Sequence, residues 1–521
     1  MRYYLFLFLL LNVVFGFAQS RQPKWGELSH RKGQVLKFLP AVDSSEFYAL
    51  RWSGNRMFGN YLITRHIDLK SVSDRRLKIH IDKSICSFVT VDMINDHCAL
   101  FLSDIRENKN YLFVRIYSKD LQTVEMEQEL AVYEFEKGHQ KGLYGVRFSE
   151  DRRFMAVVWE KLGKKNTEHI YGYRVFNSSL ELVHEGEYSL PFRSDLSEIQ
   201  GHYVSNKGGY FMAVTEYDLD STKVLYRNQK YFKSLHIYHI DETGLLDYPV
   251  NLDNKRIYTM IMSSEDSSMV SVSGLYGMQD EVGIRGVFYQ RLDMLDEREI
   301  DEGFCELKTD IITEGWTDRA KKKLKKKEDK GKENAIFFNY EMRETVPFKD
   351  SSLVGTMEQH FIQERMTDMQ QGGLSSNTFY YYYNDVIVYK INNRGTFDWI
   401  KKIRKYQVST NDGGPFSGYI GYNNDSIMYF LFNDHLDNYD TLGHFIENDE
   451  VYITNYGKQK NVVAITQLDM RTGKLKREIL YKRKDNNLLF VPKLSIDDEL
   501  NHRIILYGIK GRKEKIGIIY Y

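Results

Sequence analysis

Three carboxylates, Glu358, Asp385 and Asp434, fall in the most polar and aromatic stretch of this 521-residue chain. Around them stand Tyr380 to Tyr383, Lys402, Lys405, Gln407 and Asn433. Two carboxylates can work as general acid and base, but that chemistry depends on a separation that a strand sequence does not specify. Tyrosine rings offer flat amphipathic surfaces, and carboxylates and amides at strand ends offer directional hydrogen bonds, a combination suited to a sugar or a peptide. The candidate ligand-binding set is therefore Glu358, Tyr381, Tyr383, Asp385, Lys402, Lys405, Gln407, Asn433 and Asp434, with no residue assigned a catalytic role. Alternate residues of a strand face opposite sides of its sheet, so the tyrosines suit packing between sheets equally well.

Sharper signatures are missing. The chain holds no G-x-S-x-G nucleophile elbow, no H-E-x-x-H, no phosphate-binding loop and no C-x-x-C. His236 and His239 are three apart on an expected strand, which puts them on opposite faces. Asp434, Asp437, Asn438 and Asp440 invite a calcium reading, but the glycine and distal glutamate of a calcium-binding hand are absent. No metal and no cofactor is expected. The three cysteines, Cys86, Cys98 and Cys305, are too few for a disulfide framework, and hairpin register separates Cys86 from Cys98, so three buried thiols are expected.

Arg2 followed by the apolar run Leu5 to Val14 and by Gly16-Phe17-Ala18 reads as a signal peptide over residues 1–18, cleaved before Gln19. The run is shorter than the roughly 20 apolar residues of a membrane-spanning helix. Export to the periplasm or cell surface is expected, with no transmembrane segment once the signal is removed. Lys plus Arg and Asp plus Glu balance at 72 each, which argues against nucleic acid as a partner.

The elements that must position the polar residues show in a recurring turn. Polar pairs at Asp43-Ser44, Asn95-Asp96, Glu150-Asp151, Asn206-Lys207, Glu265-Asp266, Asp350-Ser351, Asn424-Asp425 and Asp497-Asp498 each separate two β-branched and aromatic stretches, at intervals of roughly fifty to eighty-five residues. Such a period marks an all-β chain, a single β-propeller of four-stranded antiparallel blades over residues 19–521. Eight blades are expected, with seven as the alternative. A second series of turns, Asn177-Ser178-Ser179, Asp241 to Gly244, Asn392 to Gly395 and Asp469 to Gly473, lies between third and outer strands, where tight hairpins need positive φ. After the eighth inner turn only two strands remain. Lys24 to Leu28 is a spare strand at the other end, and pairing it there would close the ring and remove both sheet edges. Three insertions interrupt the rhythm: a basic one at 308–334, a polar loop at 435–460, and Asp218 to Tyr231.

Phe148-Ser149-Glu150-Asp151 resembles the F-S-x-D-G hairpin of TolB-type propeller repeats, with Arg152 in place of the glycine. Ile391 to Trp399 and Leu468 to Leu475 are similar to a blade motif of quinoprotein-like propellers, which implies fold; a quinone cofactor is disfavoured because only Trp399 completes the motif. The stretch from Gly355 to Asp434 resembles uncharacterised exported propeller-like proteins of Bacteroidetes in its tyrosine run ending Asn384-Asp385, its Trp399 to Gln407 segment and its Phe432-Asn433-Asp434. Arg404 stands where that group has proline. The resemblance implies origin and export, and no reaction.

The leading expectation is an exported binding or scaffold protein for a glycan, peptide or protein. The rival is a hydrolase or lyase with carboxylates lining the propeller channel. Convergence of Glu358, Asp385 and Asp434 beside empty volume would favour the enzyme, and their burial in interblade hydrogen bonds would favour the binder.

Overall fold

The computed structural model describes residues 22–521 apart from 55–58, 137, 139–141, 162–166, 219–230, 242–243, 264–268, 280, 282, 297, 315–317, 330–337, 349, 368–375, 425 and 448–450. The signal-peptide segment, the inner turn at Glu265-Asp266 and most of the Asp218 to Tyr231 insertion lie outside the described residues.

Eight antiparallel sheets follow one another along the chain, and the strand order is the chain order in all but the last, whose outer strand comes from the amino-terminal segment. They span residues 34–76, 87–134, 144–193, 197–250, 255–306, 340–403, 420–482 and 489–520, and form an eight-bladed β-propeller. The second strands read as unbroken apolar runs because they are covered on both faces by neighbouring blades. Cys98 to Leu102 in blade two and Phe211 to Val214 in blade four are wholly buried. Interblade cores continue around the ring. Val354, Val386 and Val388 of blade six meet Phe430, Val462 and Ala464 of blade seven, and Val35, Phe38 and Phe47 of blade one meet Ile505, Tyr507 and Ile518 of blade eight.

Closure follows from pairing the two ends of the chain. Blade eight has a broken inner strand, Leu489–Phe490 and Ile496–Asp498, then Arg503–Lys510 and Lys513–Tyr520. Its outer strand is supplied by Lys24–Trp25 and Ser29–His30, in two short pieces rather than one run, with Lys24 opposite Ile518 and Ser29 opposite Glu514. Two buried ion pairs flank this seam. Arg51 of blade one meets Glu514 of blade eight at 2.8 Å, and Arg503, itself 2.6 Å from Asp498, donates to the Glu46 carbonyl oxygen of blade one.

The meander assigns each connection to a face. Turns between strands one and two and between three and four lie on one side of the disc. Connections between strands two and three, and from one blade to the next, lie on the other. The strand ends that bound the three insertions all lie on this second side: between strands two and three of blades four and seven, and between blades five and six. The basic insertion forms two helices, Thr309–Thr313 and Asp318–Glu328, and Leu324 of the second is buried, so this helix is docked rather than fully solvated. The longest hairpin, Leu353–Thr367 with Ser376–Ile391 in blade six, also projects there. Among the described residues no helix is long and apolar enough to cross a membrane.

Cys86 and Cys98 are free and buried; Cys305 is free but only half-buried, because it sits on the outer strand Arg298–Glu306 near the rim.

Candidate functional site

The tyrosine-rich hairpin of blade six carries a third strand. Gln407–Thr410 leaves the blade after Phe397–Ile403 and pairs instead with Tyr380 to Tyr383, setting Gln407 opposite Tyr383 and Ser409 opposite Tyr381. A bulge between Glu358 and His360 swings the second strand so that Tyr383 stacks on His360 with ring centres 4.2 Å apart. Tyr382 stacks on Phe361 at 4.5 Å on the opposite face. Tyr381 is half-buried beneath the loop that begins at Asn411. Gly414, at φ 66°, closes that loop on the tyrosines; a Cβ there would lie 2.9 Å from the Tyr383 ring.

Most of the sequence-derived candidates form one buried network. Lys405 Nζ donates to Glu358 Oε1 at 2.6 Å, to the Tyr383 carbonyl oxygen at 3.0 Å and to Gln407 Oε1 at 3.1 Å. Glu358, 1% exposed, also accepts from Arg343 at 2.8 Å. Gln407 is wholly buried, accepts from the Gly418 amide at 2.7 Å and donates to the Asn433 carbonyl oxygen at 2.8 Å. Asn433 Nδ2 in turn donates to the carbonyl oxygens of Phe416 at 2.8 Å and Phe490 at 2.9 Å. Blades six, seven and eight are thus joined through Lys405, Gln407 and Asn433, which bond to one another's chain segments through both side-chain and backbone oxygens. Burial pushes the Lys405 ammonium below the usual lysine range, against the pull of Glu358. Burial likewise raises the Tyr383 phenol to about 12.

Asp434 stands apart from this network. Its oxygens accept from Asn438 at 2.9 Å, from the Tyr439 hydroxyl at 2.6 Å and from Arg477, and it is wholly buried. It anchors the start of the polar loop, where Asn438 accepts from the Tyr452 amide at 2.7 Å. Asp385 is a quarter exposed; it accepts from the Lys405 amide at 3.2 Å and lies 3.7 Å from Lys402 Nζ. Burial raises its carboxyl above the usual range, while Lys402 opposes the rise. Lys402 is buried, donates to the Ile312 and Glu314 carbonyl oxygens of the insertion's first helix, and borders a cavity of about 320 Å³. Glu358 and Asp434 are thus each buried against a cation, whereas Asp385 is partly exposed beside Lys402.

The carboxylates that do influence one another were not singled out by sequence. Glu344, on the inner strand of blade six, and Asp497, on that of blade eight, are both raised to about 7, by burial first and with Glu499 adding to each. Glu344 packs against Gly421 of blade seven, where a Cβ would lie 2.5 Å from Glu344 Oε1. Asp497 accepts from the Tyr521 hydroxyl at 2.6 Å. Among the described residues no group of three or more histidine, cysteine or acidic side chains could hold a metal ion.

A larger cavity, about 490 Å³, opens on the insertion-bearing side between blades eight and one. It is lined by the buried Val35, Val491 and Tyr507, the partly covered Leu494 and Phe416, and the exposed Arg31 and Arg512. Sequence reasoning missed it. The candidates Gln407, Asn433 and Tyr383 do not line this cavity; they hold the 411–418 loop that carries Phe416.

No protein-family model matches the chain, and no curated protein matches it in sequence. Solved structures with a similar chain path include Chaetomium thermophilum Sqt1 bound to the N-terminus of ribosomal protein L10, at 9% identity and TM-score 0.38, covering 95% of this chain and all of that one. An oligogalacturonate lyase in complex with manganese is similar at 9% identity and TM-score 0.34, over 94% of this chain and 98% of that chain. A Penicillium chrysogenum alpha-L-arabinanase complexed with arabinobiose is similar at 10% identity and TM-score 0.31, over 64% and 93%.

Proposed function

We propose that this propeller is an exported binding protein that takes a peptide, protein or glycan on its insertion-bearing side, at the periplasm or cell surface. The observation that carries the reading is the state of the three candidate carboxylates. Glu358 is held by Arg343 and Lys405, Asp434 by Arg477 and Tyr439, and Asp385 is paired with Lys402. A general acid or base must reach its substrate, and Glu358 and Asp434 are buried in hydrogen bonds within their own blades, while Asp385, a quarter exposed, lies beside Lys402. Insertions that all leave the blades on one side set loops on a rigid ring, the usual division between scaffold and recognition. Export rests on the apolar run at Leu5 to Val14 and on the likeness of residues 355–434 to exported proteins of Bacteroidetes.

A hydrolase or lyase is the second reading, and it is favoured by different residues from those expected. Glu344 and Asp497, both titrating near neutrality on inner strands, have values suited to acid and base chemistry. Glycan and peptide arrays probed with the protein test the primary reading. Retention of a defined ligand class supports it, and an empty array together with turnover of a candidate polysaccharide contradicts it.

A further inference from the structure

We propose, building on the binding reading above, that the cavity between blades eight and one binds a peptide segment that presents a carboxylate beside a bulky apolar side chain. The seam that closes the ring builds this site. Ser29 and His30 pair with Glu514 and Lys513, and the Arg31 amide continues the ladder by donating to the Arg512 carbonyl oxygen at 3.1 Å. Two arginines are thereby set opposite each other at the cavity mouth. Like charges directly opposed across a strand pair are destabilising. Both side chains are exposed, and among the described residues neither has a carboxylate partner. No acidic residue lines the cavity. Glu514, a buried carboxylate bonded to the lining residue Tyr507, is already held by Arg51 at 2.8 Å and by the Tyr507 hydroxyl at 2.7 Å. An anion at the mouth would meet two planar guanidinium groups, the donor geometry that suits a carboxylate.

Below the mouth the walls are apolar. Val35, Val491 and Tyr507 are almost wholly buried, whereas Phe416, Leu494 and Ile509 are covered only in part. The inner strand of blade eight is broken here by the turn at Pro492–Leu494, which leaves room for the cavity. Its volume of about 490 Å³ is within the range of small-ligand sites and holds one or two side chains. A uronic acid would also bring a carboxylate, but a sugar ring needs several directed hydrogen bonds. Apart from the two arginines, the lining offers Gln34 and a Tyr507 hydroxyl that is already engaged. The lining therefore favours an apolar peptide side chain over a sugar.

The test uses the full chain and small probes. N-acetyl-phenylalanine and N-acetyl-leucine, each as free acid and as amide, report a terminal carboxylate; N-acetyl-Glu-Phe-amide reports a side-chain carboxylate; trigalacturonate reports a uronic acid. Titration calorimetry is expected to show the free acids binding roughly tenfold more tightly than the amides, as a charge-assisted contact implies. Arg31→Gln with Arg512→Gln is expected to erase that difference without lowering the melting temperature, since it relieves the repulsion between the two cations. Phe416→Ala is expected to weaken acid and amide alike. Binding of the dipeptide as tightly as the free acids supports recognition of any carboxylate, and its failure beside bound free acids supports a terminal one. The proposal is overturned by acids and amides binding equally, by discrimination that survives in the double variant, or by trigalacturonate binding more tightly than every peptide probe. An array ligand retained at full strength by the double variant would also overturn this site and leave the broader binding reading standing. An empty array with the free acids still discriminated would do the reverse.

Discussion

Lys493 of blade eight reaches Tyr383 of blade six across 110 residues of chain: its ammonium lies 4.0 Å from the centre of the tyrosine ring and donates to the hydroxyl. Burial lowers the lysine's basicity. The same ammonium is 3.4 Å from the Gly413 carbonyl oxygen, so it fastens the 411–418 loop over the tyrosine-rich hairpin. Lys493→Met should release that loop. Hydrogen exchange is expected to rise at residues 413–418 and to stay unchanged in blades two to four. Unchanged exchange at 413–418 would show that the loop is held by other contacts.

Asn433 is expected to matter for stability more than its surface chemistry suggests. Asn433→Ala removes two donated hydrogen bonds and leaves the Phe416 and Phe490 carbonyl oxygens short of a partner in a buried setting. The cost should be about 1–3 kcal/mol in urea denaturation. A change below a few tenths would mean that water replaces the amide.

Asp434→Ala should be more severe. Arg477 would remain buried with its cation uncompensated, a situation that costs about 3–5 kcal/mol. The polar loop loses its anchor at Asn438 and Tyr439 at the same time. Denaturation midpoints measure the first effect, and proteolysis within 435–460 the second; a fully stable, protease-resistant variant would refute the anchoring role.

Much of the fold was legible in the chain. Of the expected inner turns, those at Asn95-Asp96 and Asp350-Ser351 hold polar residues that tolerate tight reversal, and Asn95, Asp96 and Ser351 adopt positive φ; the last reversal falls at Glu499–Asn501, because Asp497 and Asp498 belong to the strand Ile496–Asp498. The missing outer strand of the last unit pointed to the amino-terminal segment, and Lys24 does pair with Ile518. The site was legible only in part. Glu358, Lys405, Gln407 and Asn433 stood out as polar residues among apolar strands, but whether such a side chain faces a cavity or a neighbouring blade depends on how the sheets pack, which a single strand does not encode. Their role is to support the cavity wall. Arg31 and Arg512 were invisible because ring closure alone brings them together; extending the expected pairing of the amino-terminal strand past His30 would have found them.

Deleting Lys24 to Leu28 should expose an edge of blade eight and remove Trp25, whose ring meets Tyr481 edge-on at 5.9 Å. A melting temperature lower by several degrees is expected. No change would contradict closure by this strand.

Glu344 and Asp497 carry the pH dependence. Their carboxyls are raised in the folded state, so the stability they contribute is fully present below the unfolded carboxyl value and is lost as pH rises through about 7. Glu344→Gln should therefore raise the melting temperature more at pH 8 than at pH 5. An equal shift at both values would show that Glu344 ionises normally.

The most direct measurement of binding against catalysis is mass spectrometry of an array-selected ligand after prolonged incubation with the protein. Recovery of the ligand intact, with binding lost when the rim arginines are replaced, is the expected result. A cleaved ligand, formed at a rate that falls about a hundredfold in Glu344→Gln or Asp497→Asn, would contradict it.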